Sequence, residues 1–152
     1  MLFPYHFDSS LTPSAVKIQR ENLKEFERQH FSDYSVFELI ANRTQFYDDL
    51  LKQLWQQFEL DKAHLTLIAV GGYGRQEMFP LSDLDVLILS KEERGIETEE
   101  KIAQFVQFLW DCGFNVGHSV RSLEECEKEG KQDITIATNL LESRYLSGDI
   151  SL

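Results

Sequence analysis

Cysteine and proline are both scarce, with two cysteines and three prolines in 152 residues. Cys112 and Cys126 lack metal-ligand spacing, so reduced, buried or incidental thiols in a cytoplasmic protein are expected. No apolar run approaches the ~20 residues of a membrane-spanning helix, and no contact with a membrane is expected. The opening Met1-Leu2-Phe3-Pro4-Tyr5-His6-Phe7-Asp8 has neither a basic region nor a cleavable apolar core, which argues against a secretory leader. Basic residues are short as well: 15 stand against 26 acidic ones, for a net charge of -11. That balance lacks the basic footprint of a nucleic-acid binder. It favours a protein or a small molecule as the partner. Part of the acid is local, in Lys91-Glu92-Glu93-Arg94-Gly95-Ile96-Glu97-Thr98-Glu99-Glu100, which reads as a solvated loop.

The most informative stretch is Leu67-Ile68-Ala69-Val70-Gly71-Gly72-Tyr73-Gly74-Arg75, followed by Ser82-Asp83-Leu84-Asp85-Val86-Leu87-Ile88-Leu89. Residues 67–70 form a continuous apolar run, as in a strand buried on both faces. Gly71 and Gly72 break it, which calls for a positive φ or a close backbone approach. In the second strand Asp83 and Asp85 alternate with apolar residues, so both carboxylates point to one face. Two carboxylates ~6 Å apart at an effective dielectric of ~20 repel by about 2–3 kcal/mol. Such a pair protonates, finds basic partners or holds a cation. Oxygen-only ligands with room for water suit Mg²⁺ together with substrate phosphates. Backbone N–H groups at the glycine turn supply the phosphate-binding half. Alone, Gly-Gly is a plain turn and Asp-x-Asp an exposed strand end. The combination, with Asp83 eleven residues after Gly72, points to chemistry on a nucleoside triphosphate.

The order Gly-Gly, spacer, Asp-Leu-Asp resembles the signature of the DNA polymerase β-type nucleotidyltransferase superfamily. More narrowly, Ala69-Val70-Gly71-Gly72-Tyr73-Gly74-Arg75 … Glu77 … Pro80-Leu81-Ser82-Asp83-Leu84-Asp85 resembles the amino-terminal domains of bifunctional PII uridylyltransferase/uridylyl-removing enzymes. The similarity continues through Val116-Gly117-His118-Ser119-Val120-Arg121 and Asp133-Ile134-Thr135 … Ala137-Thr138 … Leu141-Glu142 … Arg144. Gln76 departs from it, standing where that family usually has glycine. The resemblance implies a nucleotidyltransferase using UTP as donor and a tyrosine hydroxyl of the PII signal-transduction protein as acceptor. It implies Asp83 and Asp85 as catalytic metal ligands for Mg²⁺, and Gly71, Gly72, Arg75 and Ser82 as nucleotide-binding residues. The superfamily commonly has a third carboxylate on a neighbouring strand, but the third strand here carries no acid. Asp133 is the nearest acid matching the narrower pattern, and its other reading is a helix N-cap. Without it, the site rests on two carboxylates plus His118 or Arg121, which fall on opposite faces of an ideal strand. Members of this family continue into a phosphohydrolase domain of HD type and two ACT domains. Neither kind is visible here, so no uridylyl removal and no glutamine control are expected of this chain, which reads as an excised piece. Two other readings remain: a nucleotidyltransferase acting on a small molecule such as an aminoglycoside, and a non-catalytic nucleotide-binding module. A dinucleotide-binding turn is excluded, because Gly-x-Gly-x-x-Gly from Gly72 meets Glu77.

The expected architecture is α/β (α+β), a small mixed twisted sheet with packed helices. Residues 1–60 form an N-terminal helical segment and 61–152 the nucleotidyltransferase core. Thr12-Pro13 opens a helix over 13–30, and Ser35-Val36-Phe37-Glu38 is a capping box for a helix reaching about residue 60. Val36, Leu39, Ile40, Tyr47, Leu50, Leu51, Leu54, Trp55 and Phe58 make its apolar stripe. His30 and His64 read as packed or surface histidines. A further helix starts near Thr98 and buries Ile102, Phe105, Val106, Leu109 and Trp110, with Gly113 as its stop. Phe114–Ser122 alternates as a third strand. Short helices are expected from Ser122 to Gly130, and from Asp133 through Tyr145 to Gly148.

Overall fold

The computed structural model describes residues 3–7, 10–62, 65–76, 83–90, 95–122 and 144–148. Two long helices come first. Helix α1 spans Pro13–Gln29 and α2 spans Val36–Gln57. Each starts on the cap its sequence announces. The Thr12 hydroxyl accepts from the Ala15 N–H at 3.2 Å, and the Ser35 hydroxyl from the Glu38 N–H at 3.1 Å. These satisfy donors that a helix start leaves open. Val36 is nevertheless exposed, so the apolar stripe of α2 begins in effect at Leu39. From there Phe46, Leu50, Leu51, Leu54 and Trp55 are fully buried, each worth about 1.5–3 kcal/mol of transfer free energy.

Ahead of α1, residues 3–7 have no regular structure but are tied down. Phe3 is buried and its N–H donates to Asn42 Oδ1 at 3.1 Å, while Tyr5 Oη donates to Asp49. Gln57 receives the Leu11 N–H and donates to the Leu11 carbonyl, fastening the α1 approach to the end of α2. His30 packs on the Phe26 ring at 4.5 Å and pairs with Asp33, as a structural histidine does. His64 lies outside the described residues.

After a single 3-10 turn at Leu60–Lys62, the sheet begins. Its strands are β1 (Leu65–Ala69), β2 (Leu84–Ser90), β3 (Val116–Ser122) and β4 (Arg144–Gly148), in the order β3-β2-β1-β4. β1 pairs antiparallel with β2 and β4, and β2 pairs parallel with β3. The parallel step needs a crossover, which runs through helix α4, Ile96–Asp111. That helix starts two residues before Thr98, capped by Gly95, and Trp110 is 47% exposed rather than buried. It ends at Gly113, whose φ of 88 suits glycine. Cys112 is buried there, and burial pushes its thiol up to about 12. Cys126 lies outside the described residues.

The two faces of the sheet differ. Leu67 and Ala69 of β1 and their register partners Ile88 and Val86 of β2 belong to one apolar cluster with α1, α2 and α4. Leu87, one step out of phase, is buried outside that cluster, and Asp85 shares its face.

Strand β4 corrects the expectation of a helix running through Tyr145 to Gly148. These residues pair with β1, and Leu146 is buried while Tyr145 is 47% exposed. Tyr145 and Ser147 face adjacent β1 residues, Ile68 and Leu67, so Leu146 is the extra residue of a bulge. Pairing to an open strand edge overrode the helical spacing of Ile134, Ala137, Leu140, Leu141 and Tyr145. Ser122, the expected start of a short helix, is the last residue of β3, and the expected helical residues 123–130 and 133–143 lie outside the described residues. The strand assignment predicts that Leu146→Ala costs about 2–4 kcal/mol in urea unfolding, while Tyr145→Ala stays within about 0.5–1 kcal/mol. A helix burying Tyr145 would reverse that ranking.

Candidate active site

The buried strand β1 delivers the chain to Val70, and the chain turns at Gly71. Its φ is +60, and a Cβ there would stand 2.9 Å from Asp85 Oδ2. Glycine is therefore required both by the backbone and by the space. The turn opens a one-turn helix, α3, Gly71–Gly74. Its first bonds run from Gly74 N–H to the Val70 carbonyl at 2.9 Å and from Arg75 N–H to the Gly71 carbonyl at 3.1 Å. The N–H groups of Gly71, Gly72 and Tyr73 precede these and have no acceptor within the helix. Arg75 is exposed at the carboxyl end of α3, away from Gly71 along the chain.

Gln76 follows in the left-handed region, with φ 62. It takes the position after a helix end where glycine is the usual residue. Glutamine in place of the glycine that the resemblance implies at this position therefore carries backbone strain of ~1 kcal/mol.

Across the turn, Asp83 is exposed just before β2 and Asp85 is half-buried within it. The Val70 N–H donates to the Asp85 carbonyl at 3.1 Å, locking the turn to the strand. Burial raises the Asp85 carboxyl above its ordinary range, and the Asp83 charge adds to the rise. The two acids are thus close enough to repel, as their alternation in sequence implied. Asp85 leans between two glycines, Gly71 on one side and Gly117 of β3 on the other.

The remaining candidates separate. Gly117 stands directly across from Asp85 in the parallel register, and Arg121 is opposite Leu89. Arg121 shares the Asp85 face but lies four positions along, roughly 13 Å at ordinary strand rise. His118 is on the other face, lining a cavity of about 400 Å³ with Ile102, Val106 and Trp110 of α4. Neither His118 nor Arg121 adjoins the carboxylates. Ser82 and Asp133 lie outside the described residues. Among the described residues no group of three His, Cys, Asp or Glu side chains could hold a metal ion. Asp83 and Asp85 could hold a cation through their two carboxylates. They are hard oxygen donors, and a half-buried repelling pair gains from a divalent cation with water and phosphate filling the other positions.

Sequence alone assigns no role to Asp48 and does not join it to Tyr73 and Arg144. Tyr73, fully buried, donates its hydroxyl to Asp48 Oδ1 at 2.7 Å. Arg144 of β4 grips the same carboxylate through both terminal nitrogens, at 2.7 and 3.1 Å, and also donates to the Tyr73 carbonyl at 3.1 Å. Burial and the Asp48 charge push the Tyr73 hydroxyl well up, so it remains a donor. This network fastens the glycine turn to α2 and β4. A signal existed: Asp48 falls on the same helical line as Thr44, Leu51 and Trp55, all buried. An acid on a core-facing line asks for a partner.

Comparison with known proteins follows the same direction. The model of the DUF294 nucleotidyltransferase family matches residues 21–120. The chain is 67% identical over 150 residues to a bifunctional uridylyltransferase/uridylyl-removing enzyme of Haemophilus influenzae strain PittEE, covering 98% of this chain and 17% of that protein. It is 63% identical over 152 residues to the enzyme of that name from Pasteurella multocida strain Pm70, covering 99% and 18%. Against that of Hydrogenovibrio crunogenus it is 45% identical over 153 residues, covering 97% and 17%. The chain thus spans 17–18% of the length of these relatives.

Two stability measurements check the geometry. Asp48→Ala, which leaves the Arg144 charge and the Tyr73 hydroxyl without their partner, should cost about 3–5 kcal/mol in chemical unfolding. Gln76→Gly should raise stability by no more than about 0.5 kcal/mol, by removing the left-handed strain net of glycine's extra chain entropy.

Proposed function

The chain belongs to the DUF294 nucleotidyltransferase family, and from that premise we propose that it transfers UMP from UTP to a tyrosine hydroxyl of the PII signal-transduction protein. The observation that carries the reading is the Asp85 carboxylate set against the Gly71 turn, with Asp83 beside it. Phosphate-binding amides and cation-binding oxygens then meet at one point. The names of the relatives support uridylyl transfer, and the net charge of -11 supports a protein acceptor over a nucleic acid.

In this mechanism the amides of Gly71 and Gly72 hold the β- and γ-phosphates, and Arg75 and Ser82 complete the nucleotide contacts. Asp83 and Asp85 are the residues that would hold Mg²⁺, which when bound neutralises phosphate charge and lowers the pKa of the attacking hydroxyl. The acceptor oxygen forms a bond to the α-phosphorus, the bond to the β-phosphate bridging oxygen breaks, pyrophosphate leaves and the proton passes to water. The network of Asp48, Tyr73 and Arg144 holds the turn still while this happens, which is where pre-paid orientation lowers the barrier. Asp133 is retained as the proposed third metal ligand. No described helix is long and apolar enough to cross a membrane; the proposed place of action is the cytoplasm.

One observation favours a second reading, a non-catalytic nucleotide-binding module: β3 presents glycine, not an acid, across from Asp85. Transfer of label from UTP to PII separates the two. The proposed function requires Mg²⁺-dependent labelling that Asp85→Asn lowers by at least about 100-fold, whereas UTP binding without turnover, unchanged by Asp85→Asn, supports the module. Label appearing on small alcohols and not on PII would indicate a small-molecule transferase.

The raised Asp85 carboxyl gives a pH prediction with a definite sign. The folded protein holds this proton more tightly than the unfolded chain does. The stability it contributes is full below the unfolded value of 3.8 and is lost as pH rises through the higher folded value. At neutral pH without metal, Asp85→Asn should therefore raise stability, by on the order of 1 kcal/mol after solvent screening at exposed Asp83. The gain should vanish near pH 3. Mg²⁺ with UTP should raise the melting temperature of the wild type and not of Asp85→Asn.

A further inference from the structure

Most glycines in a phosphate-binding turn are explained by their backbone. Gly117 is not in that turn, and its φ lies outside the left-handed region, so its backbone accepts alanine. It is the second residue of β3 and is exposed, and glycine within a strand weakens it. What distinguishes it is its neighbour. The parallel register places it opposite Asp85. A Cβ built on Gly117 would overlap Asp85 Oδ1 and stand 3.4 Å from its Cγ. On the other side of the same carboxylate, a Cβ on Gly71 would meet Oδ2 at 2.9 Å. The Asp85 head group occupies a slot whose two walls are bare backbone.

We propose that Gly117 is a positioning residue of this site, because the side chain it omits is the space into which the Asp85 carboxylate leans. The inference rests on the reading of Asp83 and Asp85 as the metal-binding pair and deepens it. Strand β3 contributes no ligand at this register position; it sets the direction of a ligand carried by β2. With a methyl group at 117, the far end of Asp85 is the part that can yield. The carboxylate turns away from β3 to another staggered rotamer, and its oxygens leave the position shared with Asp83. The cost falls on aim and not on folding, because the displaced atoms end a side chain and the rest of Gly117 faces solvent. Gly95 provides the contrast: a Cβ there meets nothing within 4 Å.

The test compares wild type, Gly117→Ala, Gly95→Ala and the double variant Asp85→Asn/Gly117→Ala. Two readouts are taken. The first is made without metal or nucleotide: the Asp85 side-chain rotamer, from Hα–Hβ couplings and contacts to residue 117 in NMR spectra. The second is Mg²⁺-dependent transfer of UMP from UTP, with kcat and KM separated. Gly117→Ala should shift the Asp85 rotamer and lower kcat about 100-fold, with KM for UTP changing far less. Gly95→Ala should match wild type in both readouts. In the Asp85→Asn background the alanine should add less than about threefold, since the two residues act as one unit. Should Gly117→Ala fail to fold while Asp85→Ala/Gly117→Ala, which removes the head group, does fold, the clash with the Asp85 head group is confirmed by that difference alone. Wild-type turnover with Gly117→Ala unchanged in both rotamer and kcat overturns the inference. A wild type that neither binds nor turns over UTP, while its Asp85 rotamer still responds to Gly117→Ala, overturns the functional reading and leaves the steric slot intact.

Discussion

Arg144 joins three parts of the molecule that are far apart in sequence. Its guanidinium binds the Asp48 carboxylate of α2 twice and the Tyr73 carbonyl of α3 once, while the Tyr73 hydroxyl shares the same carboxylate. A mostly buried ion pair gives little net stability unless hydrogen bonds fill the remaining positions. Here both carboxylate oxygens are engaged, and Oδ1 is bonded twice. The network's value is conformational: it fixes the turn that carries Gly71. If the turn shifted, Gly71 would no longer flank Asp85, and the amide groups would lose their relation to the carboxylates. The site therefore depends on a contact made on the far side of the glycine turn, with no atom of its own in the chemistry.

The division of the sheet into two faces follows from the same arrangement. Leu67, Ala69, Val86 and Ile88 pack into the helical layer, so every second residue of β1 and β2 is committed to the core. The alternate positions place Asp85 on the other face. Period-two alternation thus lets one short strand pack a core and carry a carboxylate at once, and a register slip of one residue would drive that carboxylate into the apolar layer. Glycine does the rest of the shaping, at Gly71 for curvature and space and at Gly117 for space alone.

Much of this was legible in the chain. The caps at Thr12 and Ser35 are local side-chain chemistry, and they placed α1 and α2 within a few residues. The apolar run before Gly71 and the alternation through Asp83 and Asp85 identified β1, the turn and β2, because burial and period are written in consecutive residues. Three things were less readable. Trp110 and Val36 lie on apolar lines yet remain exposed, since periodicity gives the direction of a side chain but not the extent of the layer it meets. β4 reads in sequence as the end of a helix, because its assignment depends on an open edge of β1 some eighty positions earlier. Asp48 is hidden within a stripe of hydrophobic residues, and its place among buried neighbours is the clue to the network it anchors. His118 and Arg121 could be assigned to opposite faces from alternation alone, but only the register with β2 showed that neither adjoins Asp85.

The pairing of β4 with β1 has a consequence for how the chain is made. β1 meets β2 across residues 70–83, a much nearer partner in sequence than β4, so that pairing is the more local of the two. The outer edge of β1, however, waits for residues 144–148, which emerge from the ribosome last among the described strands. Throughout that interval a strand of Leu-Thr-Leu-Ile-Ala composition presents unpaired backbone, the kind of edge that recruits foreign strands. Synthesis of this domain thus carries a window of exposure set by chain connectivity, and arrival of the fourth strand both closes the edge and brings in the arginine that fixes the turn.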